Sequence, residues 1–490
     1  MAQLWQEERL LIDGKLVRAT GGRTYENINP ATEEVIGVAA DAGPEDIERA
    51  IAAARRAFDQ TDWARNHELR ARCLRQLHAA IRERVEDLRK TYVAEVGCPV
   101  LLTYGPGIDV PVQSLLYYAD FLEKYPWTED LGTATVFGNK SHRWIEREAI
   151  GVVGAITAWN FPIELNLKKL GWALAAGCTV VLKGAPATPQ CTLLLGQLIA
   201  EKTDIPAGVV NMITSGQNGI GEQITVDPRV DMVSFTGSTA TGKRILEVTA
   251  PYVKKVALEL GGKSAMILLD DVPNLAAAAG GGGMGVCGHA GQGCAMLTRL
   301  LVPRARLEEA TEAVRVAMGN VKYGDPTDPQ NLMGPLCSAT QRERVEGFIR
   351  KGKEEGAKLV CGGGRPKHLP KGYYIEPTAF TNVDPRSTIA QQEIFGPVQS
   401  IIGYDNEEDA IRIANDSSYG LSGGVISGDP ERARRVARRI RAGTMMINGG
   451  IYYGPEVPFG GYKMSGLGRE NGRAGFEEFL EVKSLAEPAA

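Results

Sequence analysis

From Ile150 to Asp270 the chain repeats one pattern. Short apolar runs, "GVVGAITA", "TVVLK", "GVVNMIT", "DMVSFTG", "KKVALELGG" and "SAMILLD", alternate with longer stretches of helical texture. Apolar runs of about four to eight residues without polar alternation suit strands buried on both faces, and spacers of this length hold crossover helices. The pattern predicts a doubly wound parallel α/β sheet, whose ligands bind at the carboxyl edge of the strands. A second α/β region is expected from about Gly262 to Gly461, with strands at "RLLVP", "PVQSIIGY", "GGVISG" and "TMMIN". Between Pro44 and Ala94, apolar residues three and four apart among Arg and Glu predict amphipathic helices. "TATVFGNKSHRWIEREAI" alternates like a hairpin, and "FEEFLEVKSLAE" reads as a complementary edge strand.

A chain of 490 residues exceeds one compact core, so two or three domains are expected. Its 55 Lys and Arg against 59 Asp and Glu leave a net charge of -4, which argues against nucleic acid as a partner. No apolar run reaches the roughly 18–20 residues that span a bilayer, and "MAQLWQEERLLIDGK" lacks the basic and apolar regions of a secretory signal. The eight cysteines, at 73, 98, 178, 191, 287, 294, 337 and 361, show no CxxC spacing. That favours reduced thiols in a cytoplasmic protein over a disulfide framework, and no metal site is expected.

One cysteine stands apart. Cys294 ends "GHAGQGC", after the glycine-heavy "AAAAGGGGMGVC". Glycines at 288, 291 and 293 suggest close approach of ligand and backbone, as a thiolate nucleophile with an oxyanion-binding N–H requires; the alternative is a buried structural cysteine. His289 raises a cysteine–histidine pair, which sequence proximity alone does not establish. In "WNFP", Asn160 is either a helix cap or an amide donor to an oxyanion, with proline in the first turn of the helix that follows. Lys183 follows the next strand in "VVLKGAP", and Gly237 and Ser238 in "VSFTGSTATGK" form a strand-to-helix turn suited to a dinucleotide's phosphates, although GxGxxG is absent. Glu259 ends a strand in "LELGG". Glu164 and Lys168, one helical turn apart beyond Asn160, are either an exposed ion pair or part of a substrate channel.

The ordered set "NPATEE", "WNFP", the lysine after the next strand, "FTGS", "ELGGK", "GQGC", "EIFGP" and "PFGGYKMSG" resembles the aldehyde dehydrogenase superfamily over essentially the whole chain. The resemblance implies two doubly wound α/β domains plus a small β oligomerisation element. These are a Rossmann-like dinucleotide-binding domain from 1–129 and 150–261, a catalytic domain from 262–461, and the oligomerisation element from 130–149 and 475–490. It implies oxidation of an aldehyde to the carboxylic acid by a homodimer or homotetramer. Cys294 would attack the carbonyl carbon, Asn160 would hold the oxyanion, Glu259 would activate the hydrolytic water, and Lys169 would support the Asn160 site. The cofactor residues implied are Trp159, Lys183, Pro186, Phe235, Gly237, Ser238, Leu260, Glu393 and Phe395. A substrate pocket is expected from Phe161, Glu164, Lys168, Gly288 and Phe459. NAD is the expected cofactor. Pro186 stands where many NAD-preferring relatives carry a glutamate, so NADP use stays open. Competing readings are a cysteine hydrolase without nucleotide, a CoA-acylating relative and a non-catalytic member.

Overall fold

The computed structural model describes residues 4–217 and 219–489, so the first three and last residues of the expected domain spans lie outside it. Eight strands form the first sheet, in the spatial order Lys15–Val17, Leu10–Ile12, Val210–Ile213, Thr179–Lys183, Val152–Ile156, Met232–Thr236, Lys255–Glu259 and Gly466–Leu467. The strands from Val210–Ile213 across to Lys255–Glu259 run parallel, and the flanking ones are antiparallel. The chain builds outward from Val152–Ile156 on one side, then crosses back to place Met232–Thr236 on the other. That reversal splays the loops after Ile156 and Thr236 apart and leaves a crevice at the carboxyl edge.

A second sheet of seven strands has the order Lys358–Cys361, Thr378–Thr381, Val398–Tyr404, Arg299–Pro303, Ala265–Leu268, Ser422–Ile426 and Thr444–Ile447. All its neighbours are parallel except the first pair. Each sheet has its own large hydrophobic core, the first built with the helices His67–Glu83 and Asp109–Lys124, the second with Leu307–Gly319 and Ala339–Glu354. A separate antiparallel sheet joins Thr128–Val136, Asn139–Ala149 and Leu480–Pro488, with Asn139–Ala149 in the middle.

The expected amphipathic helices form at Pro44–Gln60, His67–Glu83 and Val85–Val96. The strands Leu10–Ile12 and Lys15–Val17 escaped the sequence reading, although their turn carries its signal. Asp13 and Gly14 both adopt positive φ, at 53° and 71°, as a two-residue Asp-Gly hairpin turn demands.

The glycine run ahead of the Cys294 loop serves helix packing. Leu275–Cys287 is a helix, and its glycines bring it against Leu307–Gly319 and the second sheet. A Cβ at Gly283 would lie 3.1 Å from Val314 Cγ1, and one at Gly282 would lie 3.2 Å from Met266 Sδ. Gly281 faces open space and only loses helix propensity. Gly283→Val should therefore destabilise the protein by about 1–3 kcal/mol through overpacking, whereas Gly281→Ala should stabilise it by about 0.5–1 kcal/mol. Thermal unfolding of the two variants, with midpoints moving in opposite directions, checks this account of the run.

Candidate active site

A cavity of about 480 Å³ opens where the carboxyl edge of the first sheet meets the second half of the chain. The first sheet contributes Asn160, Thr236, Gly237, Ser238, Glu259 and Leu260; the second half contributes Gly293, Cys294, Glu393 and Phe395. Cys294 is the cysteine that lines it among the described residues. The residue is half-buried, and its thiol is held above the ordinary cysteine range, first by burial and then by the nearby Glu259 and Glu393 carboxyl groups.

The loop before Cys294 is unusual in its backbone. His289, Ala290 and Gly291 sit in the left-handed region at φ 48°, 51° and 72°, conformations costing on the order of 1–3 kcal/mol each for a residue with a Cβ. Gln292 holds them there. Its Nε2 donates to the His289 carbonyl (3.1 Å) and its Oε1 accepts from the Cys337 N–H (2.8 Å). Gly291 is required by its own positive φ and because a Cβ would overlap the Gly396 carbonyl. Gly293 does line the cavity, but Gly288 does not, so the expectation that Gly288 shapes the pocket is not met.

Asn160 is not a helix cap. Helix Pro162–Ala176 has Phe161 at its cap, with no side-chain capping bond. The Asn160 Nδ2 instead donates to the Gln292 carbonyl at 3.0 Å, which leaves one amide hydrogen on the cavity side. His289 Nε2 lies 2.7 Å from the Asn160 carbonyl, and its Nδ1 is buried without a partner, so neither ring nitrogen serves Cys294. Burial lowers the His289 pKa to about 4 and keeps the ring neutral.

Glu259 ends its strand with both carboxyl oxygens buried and unpartnered. Burial, and then the charge of Glu470, lift its pKa well above the usual carboxylate range, against the pull of Lys169, Lys168 and Arg469. Glu470, absent from the sequence reading, is the carboxylate of the pair that stays ionised. Its Oε1 lies 2.7 Å from Lys169 Nζ and its Oε2 3.5 Å from Lys168 Nζ. Lys169 also donates to Ser234 Oγ at 3.0 Å, so its partners are Glu470 and Ser234 rather than Asn160. Glu164 and Lys168 pair at 3.0 Å with side chains only 11% and 9% exposed, which excludes the exposed ion-pair reading. Phe161, Glu164, Lys168 and Phe459 all line the cavity, together with Met296, Tyr452 and Tyr453, which sequence reasoning missed.

The remaining residues lie along the same edge. Gly237 and Ser238 open the helix Thr239–Thr249, where Ser238 caps by accepting from the Thr241 N–H (3.2 Å), and Phe235 packs beneath Gly237. Lys183 is buried with one hydrogen-bond partner, the Gly184 carbonyl at 3.3 Å, and burial lowers its pKa to about 8. Pro186 follows in the next turn, and neither Lys183 nor Pro186 touches the cavity. Glu393 accepts from the Gly262 N–H (3.0 Å) with one oxygen and has the other to spare. Phe395, at φ 62°, stands edge-on to Trp159 with ring centroids 5.4 Å apart, and its carbonyl accepts from Gln341 Nε2 (2.7 Å). A buried ammonium short of acceptors, a helix N-terminus and a carboxylate with a free oxygen suit the phosphate and hydroxyl groups of a dinucleotide.

Known proteins agree with this arrangement. A 3-succinoylsemialdehyde-pyridine dehydrogenase from a Pseudomonas species is 43% identical over 478 residues, covering 97% of each chain. A Mycobacterium tuberculosis aldehyde dehydrogenase complexed with NAD+ superposes with TM-score 0.93 at 43% identity, covering 99% of both chains. Aldehyde dehydrogenase C of Pseudomonas syringae, solved with NAD+ and octanal, superposes with TM-score 0.93 at 38% identity over 99% of this chain and 98% of its own. The aldehyde dehydrogenase family profile matches residues 16–485. With Cys294, the Asn160 amide and the Glu259 carboxyl group gathered at one cavity, this chain belongs to the aldehyde dehydrogenase family.

Proposed function

We propose that the protein oxidises an aldehyde to its carboxylic acid with NAD+, through Cys294 as nucleophile. The observation that carries this reading is the meeting of Cys294, the Asn160 amide and the unpartnered Glu259 carboxyl group at one cavity. Cys294 gives its thiol proton to solvent water, its Sγ adds to the carbonyl carbon, and the substrate oxygen gains the charge, which the free Asn160 N–H and the Cys294 backbone N–H stabilise. When bound, NAD+ supplies the ring that accepts the hydride, leaving a thioester on Cys294. Gly237 and Ser238 would hold the pyrophosphate, Lys183 and Glu393 the ribose hydroxyls, and Phe395 and Trp159 the nicotinamide end. Glu259 then takes a proton from water as that water attacks the thioester, releasing the acid. A cavity-facing base with no other partner favours water over a thiol acceptor, which would need no such base.

We further propose two domains, one around each large sheet, and assembly into dimers or tetramers through the small three-stranded sheet. Phe137 at its hairpin is 98% exposed and Val482 on its edge strand 62%, apolar surface that a second copy would cover. Eight free thiols support a reducing, cytoplasmic setting. No helix among the described residues is long and apolar enough to cross a membrane.

Cys294→Ala should abolish NADH formation from any aldehyde, while alanine at Cys73, Cys98, Cys178, Cys191, Cys287, Cys337 or Cys361 leaves it largely intact. Glu259→Gln should keep a burst of NADH and then turn over about 10²–10⁴-fold more slowly, as loss of a general base implies. Because the Glu259 pKa is raised, its basic form grows in as pH climbs above the ordinary carboxylate range. Turnover should therefore rise with pH in the parent, and that limb should flatten in Glu259→Gln. Stopped-flow absorbance across pH decides this; a parent-like steady state in Glu259→Gln would place the base elsewhere. Pro186→Glu should raise the ratio of kcat/KM for NAD+ over NADP+, since a carboxylate there would repel a 2′-phosphate; an unchanged ratio would mean that the residue does not face the ribose. Light scattering on the eluting protein tests assembly, with Phe137→Asp and Val482→Asp together expected to yield monomer.

A further inference from the structure

The buried charges at the substrate side of the cavity exceed what the oxidation itself requires. Cys294, Asn160 and Glu259 account for the chemistry, yet the wall also carries Glu164 and Lys168 among Phe161, Tyr452, Tyr453 and Phe459. Lys168 Nζ meets Glu164 Oε1 at 3.0 Å and Glu470 Oε2 at the longer 3.5 Å, and it sits 5.3 Å from the centre of the Phe459 ring. Burial opposes its charge, but the carboxylates of Glu164 and Glu470 outweigh that effect and keep it an ammonium. The Glu164 carboxylate is also engaged by the Tyr453 hydroxyl. An ammonium has three donors and a carboxylate about four acceptor sites, so the Lys168 and Glu164 partners leave at least one of each over on the cavity wall.

Resting on the dehydrogenase reading above, we propose that Glu164 and Lys168 form a recognition pair for an uncharged hydroxyl group at the far end of an aromatic aldehyde. A hydroxyl both donates and accepts, so it satisfies the carboxylate and the ammonium together. A carboxylate-tailed aldehyde accepts from Lys168 but meets the negative charges of Glu164 and Glu470. An ammonium-tailed one meets Lys168. A hydrocarbon tail strips water from both groups and returns no hydrogen bond, which is costly for buried ions. The aromatic part follows from the rings on the wall: Phe161, Tyr453 and Phe459 offer faces and edges against which a flat ring packs.

The test compares kcat/KM, read as NADH formation, for three para-substituted benzaldehydes bearing hydroxymethyl, ethyl or carboxylate groups. The first two match in size and nearly in electronic effect. The parent should favour hydroxymethyl over ethyl by at least about tenfold, the scale of a hydrogen bond to a charged group, and should disfavour the carboxylate. The paired change Glu164→Leu with Lys168→Met, which removes both ions and strands neither, should bring the hydroxymethyl-to-ethyl ratio to within about twofold of unity. Glu164→Gln nearly conserves volume and gives a second route if the paired variant does not fold; it should lower the ratio at least about threefold. Equal efficiency for hydroxymethyl and ethyl in the parent, preference for the carboxylate, or an unchanged ratio in these variants would overturn this inference while leaving the dehydrogenase reading intact. Absence of NADH from every aldehyde would overturn both.

Discussion

One hydrogen bond ties the two halves of the site together. Asn160 belongs to the carboxyl edge of the first sheet and Gln292 to the loop that carries Cys294, and the Asn160 amide donates to the Gln292 carbonyl across 3.0 Å. The same loop returns the contact through His289, which faces the Asn160 carbonyl. A loop with three successive residues at positive φ needs such external restraint, because its own backbone preferences work against it. The bond therefore positions the Cys294 loop relative to the first sheet and orients the amide whose other hydrogen faces the cavity. Gln292 completes the clamp by spending its side-chain amide on His289 and Cys337.

Behind this clamp lies an alternation of charge: Glu164, Lys168, Glu470 and Lys169, then the hydroxyl of Ser234. All four ionisable side chains are buried, an arrangement sustained only when each ion has opposite charge beside it. Glu259 is the exception. It lies close enough to Glu470 for the two carboxyl groups to compete, and the lysines favour Glu470 because they bond to it directly. Glu259, its pKa pushed up, is left free of protein partners, so its carboxyl group remains available to a water molecule. The chain of ions thus pushes the pKa values of two neighbouring glutamates in opposite directions.

The helix Pro162–Ala176 links the two systems. Asn160 precedes it, Glu164 and Lys168 share one of its faces toward the cavity, and Lys169, one position further round, turns to Ser234 and Glu470. Helical periodicity is enough to separate consecutive lysines, one on the cavity wall and one beneath the sheet edge.

The sequence alone determined the local elements and the types of chemistry. The apolar runs from Ile150 onward are strands because residues buried on both faces have no other favourable environment; Asn160 and Glu259 follow or end such a run closely enough to be suspected, and Cys294 is marked by its glycine neighbours instead. Tertiary structure decided which groups meet. Glu470 lies some 200 residues from Glu259 in the chain, and no local pattern marks it. Burial turned the pair Glu164 and Lys168 from an ordinary helical spacing into part of the cavity wall. The glycines show the same limit: glycine reports that something comes close, and only the fold shows that the neighbour is another helix at Gly283 and, at Gly291, where a ligand was expected, a carbonyl of the chain itself. Periodicity and propensity act over a few residues and are written in the sequence, whereas pKa shifts, ion pairing and close approach arise from groups that folding brings together across hundreds.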